Sequence, residues 1–176
     1  MKRTYWIIGL VILILAIIGG VAYALFFASP PASAPTVNNT TVTQPLKMYM
    51  VAVDDNGKSG DLIGCGDSAV SVTTEDVTTS DVIKATMERL LANKKQYYGE
   101  SGLYNALYKS SLTYISSSVS GDTVTVKLSG TFSLGGECDN PRVQAQLEQT
   151  AKAAASVTKV AIFVNDKPLD EVLSLK

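Results

Sequence analysis

The most apolar part of the chain is its N-terminal segment. Residues 5–27 are almost unbroken Ile, Leu, Val, Ala and Gly, and residues 4–46 contain no charged side chain. A helix of this length spans roughly 34 Å, enough for a hydrocarbon core of about 30 Å. Lys2 and Arg3 precede the run, so the positive-inside rule predicts a cytoplasmic N-terminus. The pattern predicts a single-pass transmembrane anchor over residues 1–28, with the rest of the chain outside the cytoplasm.

A cleaved secretory signal is the alternative interpretation of the same segment. Residues 22–24, Ala-Tyr-Ala, have the small-x-small form that signal peptidases accept. The apolar run is, however, longer than the roughly 7 to 15 residues of a usual signal core. Both interpretations export the remainder. Residues 29–45 contain four prolines among Ser, Thr, Asn and Ala, which predicts an extended tether between the anchor and a domain over residues 46–176.

Several short segments of this domain have the pattern of strands. They comprise residues 48–53, 69–73, 110–119, 123–129 and 160–164. The first is a continuous apolar run that ends in turn residues, as expected of a strand buried on both faces. The third and fourth flank a Ser-Gly-Asp turn, and the fourth alternates apolar with polar residues. Together they predict a hairpin with one wet face.

Two further segments have the period of helices. In the first, Thr78 and Asp81 resemble a capping box ahead of an apolar stripe that ends near Asn93. In the second, Asn140 and Pro141 suit an N-cap and the first helical position. Two helices among these strands predict the α+β class, with both helices packed on one mixed sheet in a two-layer sandwich.

Composition narrows the chemistry that the chain can perform. With 15 basic and 16 acidic residues and a net charge of -1, it offers no electrostatic footprint for nucleic acid. The absence of histidine removes the usual general base and the commonest neutral metal ligand. A Ser-Lys hydrolase needs no histidine, but no nucleophile-elbow signature occurs. We therefore predict a protein that is not an enzyme and has no metal or cofactor.

The two cysteines, Cys65 and Cys138, lie in separate Gly-rich turns. An even pair in an exported domain favours a structural disulfide, worth about 4 kcal/mol for a loop of this length by the chain-entropy argument. Two inert buried thiols and a redox-active pair are the alternatives. Asp67 and Arg142 lie close to the two cysteines in sequence, so a disulfide would bring them together as an ion pair.

The connection over residues 94–109 is long and contains four tyrosines. A segment of this length without predicted structure serves either function or local packing, and we favour packing. Exposed rings would form a stacking surface for a partner or a sugar. The start of the second helix, with Arg142, is able to hold an anion, although helix capping with an ion pair is the simpler account. The candidate ligand or partner surface comprises Tyr97, Tyr98, Tyr104, Asn105 and Arg142.

Five short motifs occur in order along the domain. They are the opening apolar strand, Glu-Arg-Leu-Leu at residues 88–91, Gly-Leu-Tyr-Asn at 102–105, Val-Thr-Val-Lys-Leu-Ser at 124–129 with Phe132 after it, and Val-Ala-Ile-Phe-Val-Asn at 160–165. In this order they resemble the GerMN domain family of sporulation and spore germination. The resemblance implies an exported α+β domain on a membrane or lipoprotein anchor, similar to ring-building modules of envelope assemblies. It implies binding or assembly, and it carries over no catalytic residue.

These observations predict a cell-membrane protein of the bacterial envelope. Its domain is expected to lie outside the cytoplasm and to bind an envelope protein or a second copy of itself. The alternative function is that of a binding module for cell-wall glycan or another small ligand, with the tyrosines as its stacking surface.

Overall fold

The structure, a computed structural model, describes residues 40–174. Its elements are β1 (Val42–Ala52), β2 (Asp61–Leu62), β3 (Ser68–Thr79), α1 (Val82–Ala92), β4 (Ser111–Ser120), β5 (Thr123–Thr131), α2 (Asp139–Ala155), β6 (Lys159–Val164), β7 (Lys167–Pro168) and α3 (Leu169–Ser174). A short 3-10 turn, Gly64–Gly66, separates β2 from β3. The predicted anchor and residues 29–39 of the predicted tether lie outside the described residues. Within residues 40–174, no helix combines the length and the hydropathy needed to cross a membrane.

The α+β class is confirmed, but the strands form two sheets where one mixed sheet was predicted. One sheet has the antiparallel order β1-β3-β2, and the other has the order β4-β5-β6-β7 with a parallel β5–β6 pair. The edge of β1 that faces away from β3 explains why the two sheets are separate. Thr150 of α2 accepts a hydrogen bond from the backbone N–H of Tyr49, and Gln146 donates to the Tyr49 carbonyl. Since helix side chains occupy this edge, no strand of the second sheet pairs with it.

The first sheet begins earlier and extends further than the sequence pattern indicates. Residues 42–45, which the prolines assign to the tether, are the first residues of β1 and pair with the end of β3. The register shifts between Pro45 and Lys47, where proline lacks a donor for the ladder. Side chains in this half of the β1–β3 ribbon are mostly exposed on both faces. A ribbon wet on both faces has no apolar alternation, which is why the pattern missed it.

Both predicted helices are present, with corrected starts. Asp81, rather than Thr78, is the N-cap of α1: its side chain accepts a hydrogen bond from the Lys84 N–H at 2.9 Å. Thr78 instead belongs to β3. Helix α2 begins at Asp139, so Asn140 is not its N-cap. The i to i−3 hydrogen bonds of the preceding turn, from Asp139 to Gly136 and from Asn140 to Glu137, start the helix earlier than Pro141 suggests.

The second sheet supplies the part of the fold that the sequence predicts best. The hairpin β4–β5 and the last predicted strand, β6, are confirmed. Helix α2 connects β5 to the parallel strand β6, and it contacts strands of both sheets. The core between the layers contains Met48, Met50, Val51, Met87, Leu90, Leu107, Val124, Val126, Leu128, Val143, Leu147 and Ile162, among others.

Candidate functional site

The tyrosine loop, residues 94–110, is packed firmly against the domain. The backbone N–H and C=O of Tyr104 both pair with those of Val51, at 2.7 and 2.9 Å, so the loop lies along β1 as an isolated bridge. Ala106 and Leu107, the next apolar residues, are almost fully buried in the core. The expectation that this segment serves packing is confirmed for residues 104–107.

A buried pair of amide side chains fixes the loop. Asn105 is fully buried and donates to the carbonyls of Asn93 and Lys95, at 2.8 and 3.2 Å. Gln146 of α2 is also fully buried, and its Oε1 accepts from the Ala106 N–H at 2.7 Å. Because its Nε2 donates to the Asn105 side chain and to β1, Gln146 joins loop, strand and helix at one point.

A carboxylate–arginine cluster, Asp67, Asp139 and Arg142, lies beside the loop. Arg142 Nε donates to Asp67 at 2.5 Å, and its Nη1 donates to Asp139 at 3.2 Å. The Asp67 side chain is completely buried, and its second oxygen accepts from the Asp54 N–H. The predicted ion pair between Asp67 and Arg142 is therefore confirmed. Removing one partner of such a buried pair is strongly destabilising, because it leaves an uncompensated charge. The cluster therefore stabilises the arrangement of this end of the domain.

The disulfide explains how the cluster forms. Cys65 and Cys138 are bonded, with their Cα atoms 5.8 Å apart, as the sequence predicts. This bond holds the turn before Asp67 against the start of α2, where Arg142 and Asp139 project. Cys65 has a positive φ of 65°, a conformation that usually favours glycine, and the two residues beside it are glycines.

Tyr104 connects this cluster to the loop. Its ring lies 5.4 Å from the Arg142 guanidinium, and its hydroxyl donates to Asp139 at 3.3 Å. Burial, followed by the negative charge of Asp139, raises the pKa of Tyr104 to about 12. The pKa of Arg142 is raised too, chiefly by its hydrogen bond to Asp67. Tyr104 is a neutral donor at physiological pH, and Arg142 is a permanent cation.

The five predicted surface residues separate into two groups. Tyr104 and Asn105 belong to the interior rather than to an exposed surface, and Arg142 is largely committed to its two carboxylates. Tyr97 is 50% exposed and contacts Tyr104 edge to face at 6.3 Å between ring centroids. Tyr98 is half-buried. Tyr97 is therefore the exposed ring among the five, and the buried Tyr104 supports it.

Tyr108 adds a further ring to this surface. It packs edge to face on Tyr104 at 6.0 Å, and the Lys109 ammonium lies 5.2 Å above it. Tyr97, Tyr104 and Tyr108 thus form a continuous row of rings, of which the middle one is buried. We call Tyr97, Tyr98 and Tyr108 the tyrosine surface.

A hollow of about 410 Å³ lies next to Tyr98. Two cations contribute to its wall, and the complete lining comprises Met48, Arg89, Ala92, Asn93, Lys95, Tyr98 and Gly99. Its volume falls within the range of small-molecule sites. One aromatic ring beside two cations suits a ligand that has both an apolar face and a negative charge.

Two residues that organise the site were missed from the sequence. Gln146 and Thr150 lie on the buried stripe of α2, together with Val143, Leu147 and Ala151. Their polar side chains at positions of a buried stripe could have identified them from the sequence, because a buried amide or hydroxyl needs hydrogen-bond partners. In this structure the partners are backbone groups of β1 and of the loop. Among the residues that the structure describes, no group of His, Cys, Asp and Glu is arranged to hold a metal.

Comparison with known proteins now identifies the domain. The sequence profile of the Germane family, described as sporulation and spore germination, matches residues 47–170. The chain belongs to the Germane family. This range includes the disulfide, the carboxylate–arginine cluster and the whole tyrosine loop. The resemblance drawn from the five motifs is thereby confirmed.

One solved structure is also similar to this Germane chain. It contains the tandem GerMN domains of the sporulation protein GerM from Bacillus subtilis, with 22% sequence identity and a TM-score of 0.48. The alignment covers 71% of this chain and 40% of that one. This chain thus spans less than half the length of the GerM structure. No curated protein sequence matches it.

Proposed function

We propose that this chain is a membrane-anchored envelope protein whose Germane domain binds a protein partner in an assembly of sporulation or germination. The observation that carries the proposal is the exposed ring of Tyr97 on a buried support. Tyrosine is enriched at protein interfaces, because it supplies a large contact area for little conformational entropy. The Asn105–Gln146 pair holds the loop in place before any partner arrives, which lowers the cost of binding.

The side chains of the carboxylate–arginine cluster and of Tyr104 are already engaged in structural bonds. Asp67 and Asp139 accept hydrogen bonds from Arg142 and from backbone N–H groups, and Tyr104 donates to Asp139. A hydrolase would need a nucleophile beside a base, both facing a substrate. The use of these groups inside the protein favours binding over catalysis.

The location of the domain outside the cytoplasm is part of the proposal. The uncharged N-terminal run after Lys2 and Arg3 supports it, because this pattern directs the C-terminal remainder of a chain across the membrane. The disulfide supports it as well, since such bonds persist in oxidising compartments.

Site-specific photo-crosslinking in the full chain, within native membranes, tests the partner surface. A photoreactive amino acid replaces Tyr97 in one variant and Asp170, exposed on α3, in the control. We expect discrete protein adducts at position 97 and none at position 170. Adducts absent from positions 97, 98 and 108 alike would overturn the proposal.

The hollow beside Tyr98 favours a second candidate, the binding of an anionic cell-wall glycan. A sugar ring would stack on Tyr98 while its carboxylate pairs with Arg89 or Lys95. Co-sedimentation of the full chain with insoluble cell wall tests this function. We expect the double substitution Arg89→Ala and Lys95→Ala to lower the bound fraction about tenfold.

A matched control removes the same charge elsewhere, through Lys84→Ala and Lys167→Ala. Both of these lysines are exposed and lie outside the hollow. Equal losses in the two double variants would show general attraction to an anionic wall, and would exclude the hollow as a glycan site.

A further inference from the structure

Within residues 40–174, the three strands of ten or more residues each have an edge that is not paired with another strand along most of its length, and two of these edges are protected. The edge of β1 is closed at Tyr49 by Gln146 and Thr150 and at Val51 by the bridge to Tyr104, and its first half contains Pro45 and Lys47. Strand β3 is paired on its outer side only at the two residues of β2, and its open part contains Glu75 and Asp76. Closure by other groups and charges on the strand are the usual protections against edge-to-edge pairing.

Strand β4 contacts helix α1, but it has no charged residue of its own. It is the end strand of its sheet, and no strand within residues 40–174 pairs with its outer side. Its ten residues, Ser-Leu-Thr-Tyr-Ile-Ser-Ser-Ser-Val-Ser, include neither a charge nor a proline. Two large apolar side chains are exposed on it, Ile115 at 57% and Val119 at 48%. This edge is suited to receive another strand.

The hairpin geometry shows which backbone groups are available. The two-residue turn of Gly121 and Asp122 joins Ser120 to Thr123, and such turns close on a hydrogen-bonded pair. Because hydrogen-bonded and non-bonded positions alternate, the N–H and C=O of Ser117 and Val119 point away from β5. The register shift between Tyr114 and Ser116 limits the regular part of this edge to residues 116–120.

We propose that β4 pairs antiparallel with β4 of a second copy of this chain. A two-fold axis lets each strand satisfy the outward groups of the other, so one contact covers both edges. An uncharged strand meets its own copy without like-charge repulsion in any register, and the net charge of -1 gives little repulsion between whole chains. Ile115 and Val119 would be removed from water at this contact. The inference rests on the proposed assembly function, but it uses a surface that is distinct from the tyrosine surface.

Photo-crosslinking at exposed Ser118 tests the pairing in full chains that have two different tags, co-expressed in native membranes. We expect a dimer containing both tags, with the crosslink mapped by mass spectrometry to β4 of the second copy. The substitution Val119→Pro removes one outward N–H from each strand. We expect it to reduce the dimer at least about tenfold, because two hydrogen bonds are lost in each symmetric pair.

The matched control is Val119→Ala, which truncates the side chain but keeps the N–H, and we expect it to retain most of the dimer. If Val119→Pro lowers the amount of folded protein, Val119→Lys replaces it and adds a charge to the edge. Crosslinks only to a different protein, or equal dimer yields in the Pro and Ala variants, would overturn the inference. If position 118 gives no β4 dimer while position 97 still gives protein adducts, β4 pairing alone is refuted. If neither position gives its product, the proposed function is refuted too.

Discussion

Gln146 is the residue whose loss should most disturb the position of the tyrosine loop. It is fully buried, and it satisfies the Ala106 N–H and the Tyr49 carbonyl. Gln146→Leu keeps a similar volume but leaves both backbone groups without a partner. We expect the free energy of unfolding to fall by about 2–4 kcal/mol, measured by urea unfolding of the full chain in mild detergent with tyrosine near-UV circular dichroism.

The control for this variant lies on the same helix. Gln144 is exposed, and its side-chain amide donates a hydrogen bond to Glu148, one turn further along. Gln144→Leu should change the stability by no more than about 0.5 kcal/mol. A Gln146→Leu variant as stable as this control would mean that the amide network is not what holds the loop.

Ionisation of Tyr104 makes the stability of the domain fall at alkaline pH. Its pKa is about 12 in the folded protein, against 10.0 for an ordinary tyrosine. Between these values the unfolded chain has lost the proton and the folded chain keeps it, so stability falls as pH rises. The contribution is fully present below pH 10, and its loss above pH 12 amounts to about 2–3 kcal/mol.

Urea unfolding at several pH values between 9 and 12 checks the sign and the source of this effect. Tyr104→Phe should show a shallower decline of stability than the wild type. Tyr97→Phe, which removes a hydroxyl from an exposed ring, should decline as the wild type does. Parallel curves for the wild type and Tyr104→Phe would contradict the assignment to Tyr104.

At the scale of elements, the β4–β5 hairpin depends on two glycines with different surroundings. Gly130 has a φ of +120°, and a Cβ there would lie 1.9 Å from the Ser111 carbonyl oxygen. Gly121, in the turn, has a φ of +56° with nothing within 4 Å of a Cβ. We expect Gly130→Ala to cost about 3 kcal/mol or more and Gly121→Ala about 1 kcal/mol, by urea unfolding.

Each variant serves as the control for the other, because both put alanine at a positive φ in the same hairpin. The difference between them reports the contact with the Ser111 backbone together with the less favourable φ of +120° at Gly130. If the two substitutions cost the same, β4 and β5 do not approach as closely at Gly130 as the structure has them.

The elements that sequence predicted well are those whose apolar periodicity reports burial on one face. Strand β5 shows this periodicity, since Val124 and Val126 are buried two residues apart. Helix α2 shows it as well, since Val143 and Leu147 are buried four residues apart. The first half of β1 and the end of β3 do not, because their ribbon is wet on both faces. Short elements such as β2, β7 and α3 contain too few residues for a period to appear.

Candidate-site residues were less predictable, for a related reason. The sequence marks the tyrosines of residues 94–109 as a group, but exposure is decided by long-range contacts. Tyr104 is buried because it bridges to Val51 and packs under Arg142, whereas Tyr97, in the same loop, is half exposed. The Asp67–Arg142 pair was predictable only because the two cysteines reported a long-range contact that local patterns do not contain.

At the scale of the whole molecule, one bond relates the geometry of the site to the location of the domain. The disulfide brings together turns that are 73 residues apart, and it places Asp67 beside Arg142, whose guanidinium lies against the Tyr104 ring. It also connects the fold to the compartment, since a cytosolic domain would keep both thiols reduced. The state of these cysteines in the cell therefore tests structure and location together.

Thiol labelling of the full chain in its native membrane measures that state. Membranes are quenched in acid and denatured, and a maleimide is then added with or without prior reduction. We expect labelling only after reduction, because Cys65 and Cys138 are the only cysteines and are bonded to each other. Cys138→Ser, which frees Cys65, should label without reduction and so shows that the reagent reaches the site. Wild-type labelling without reduction would remove the independent support for export, and the orientation of the N-terminal segment would then decide where the domain lies.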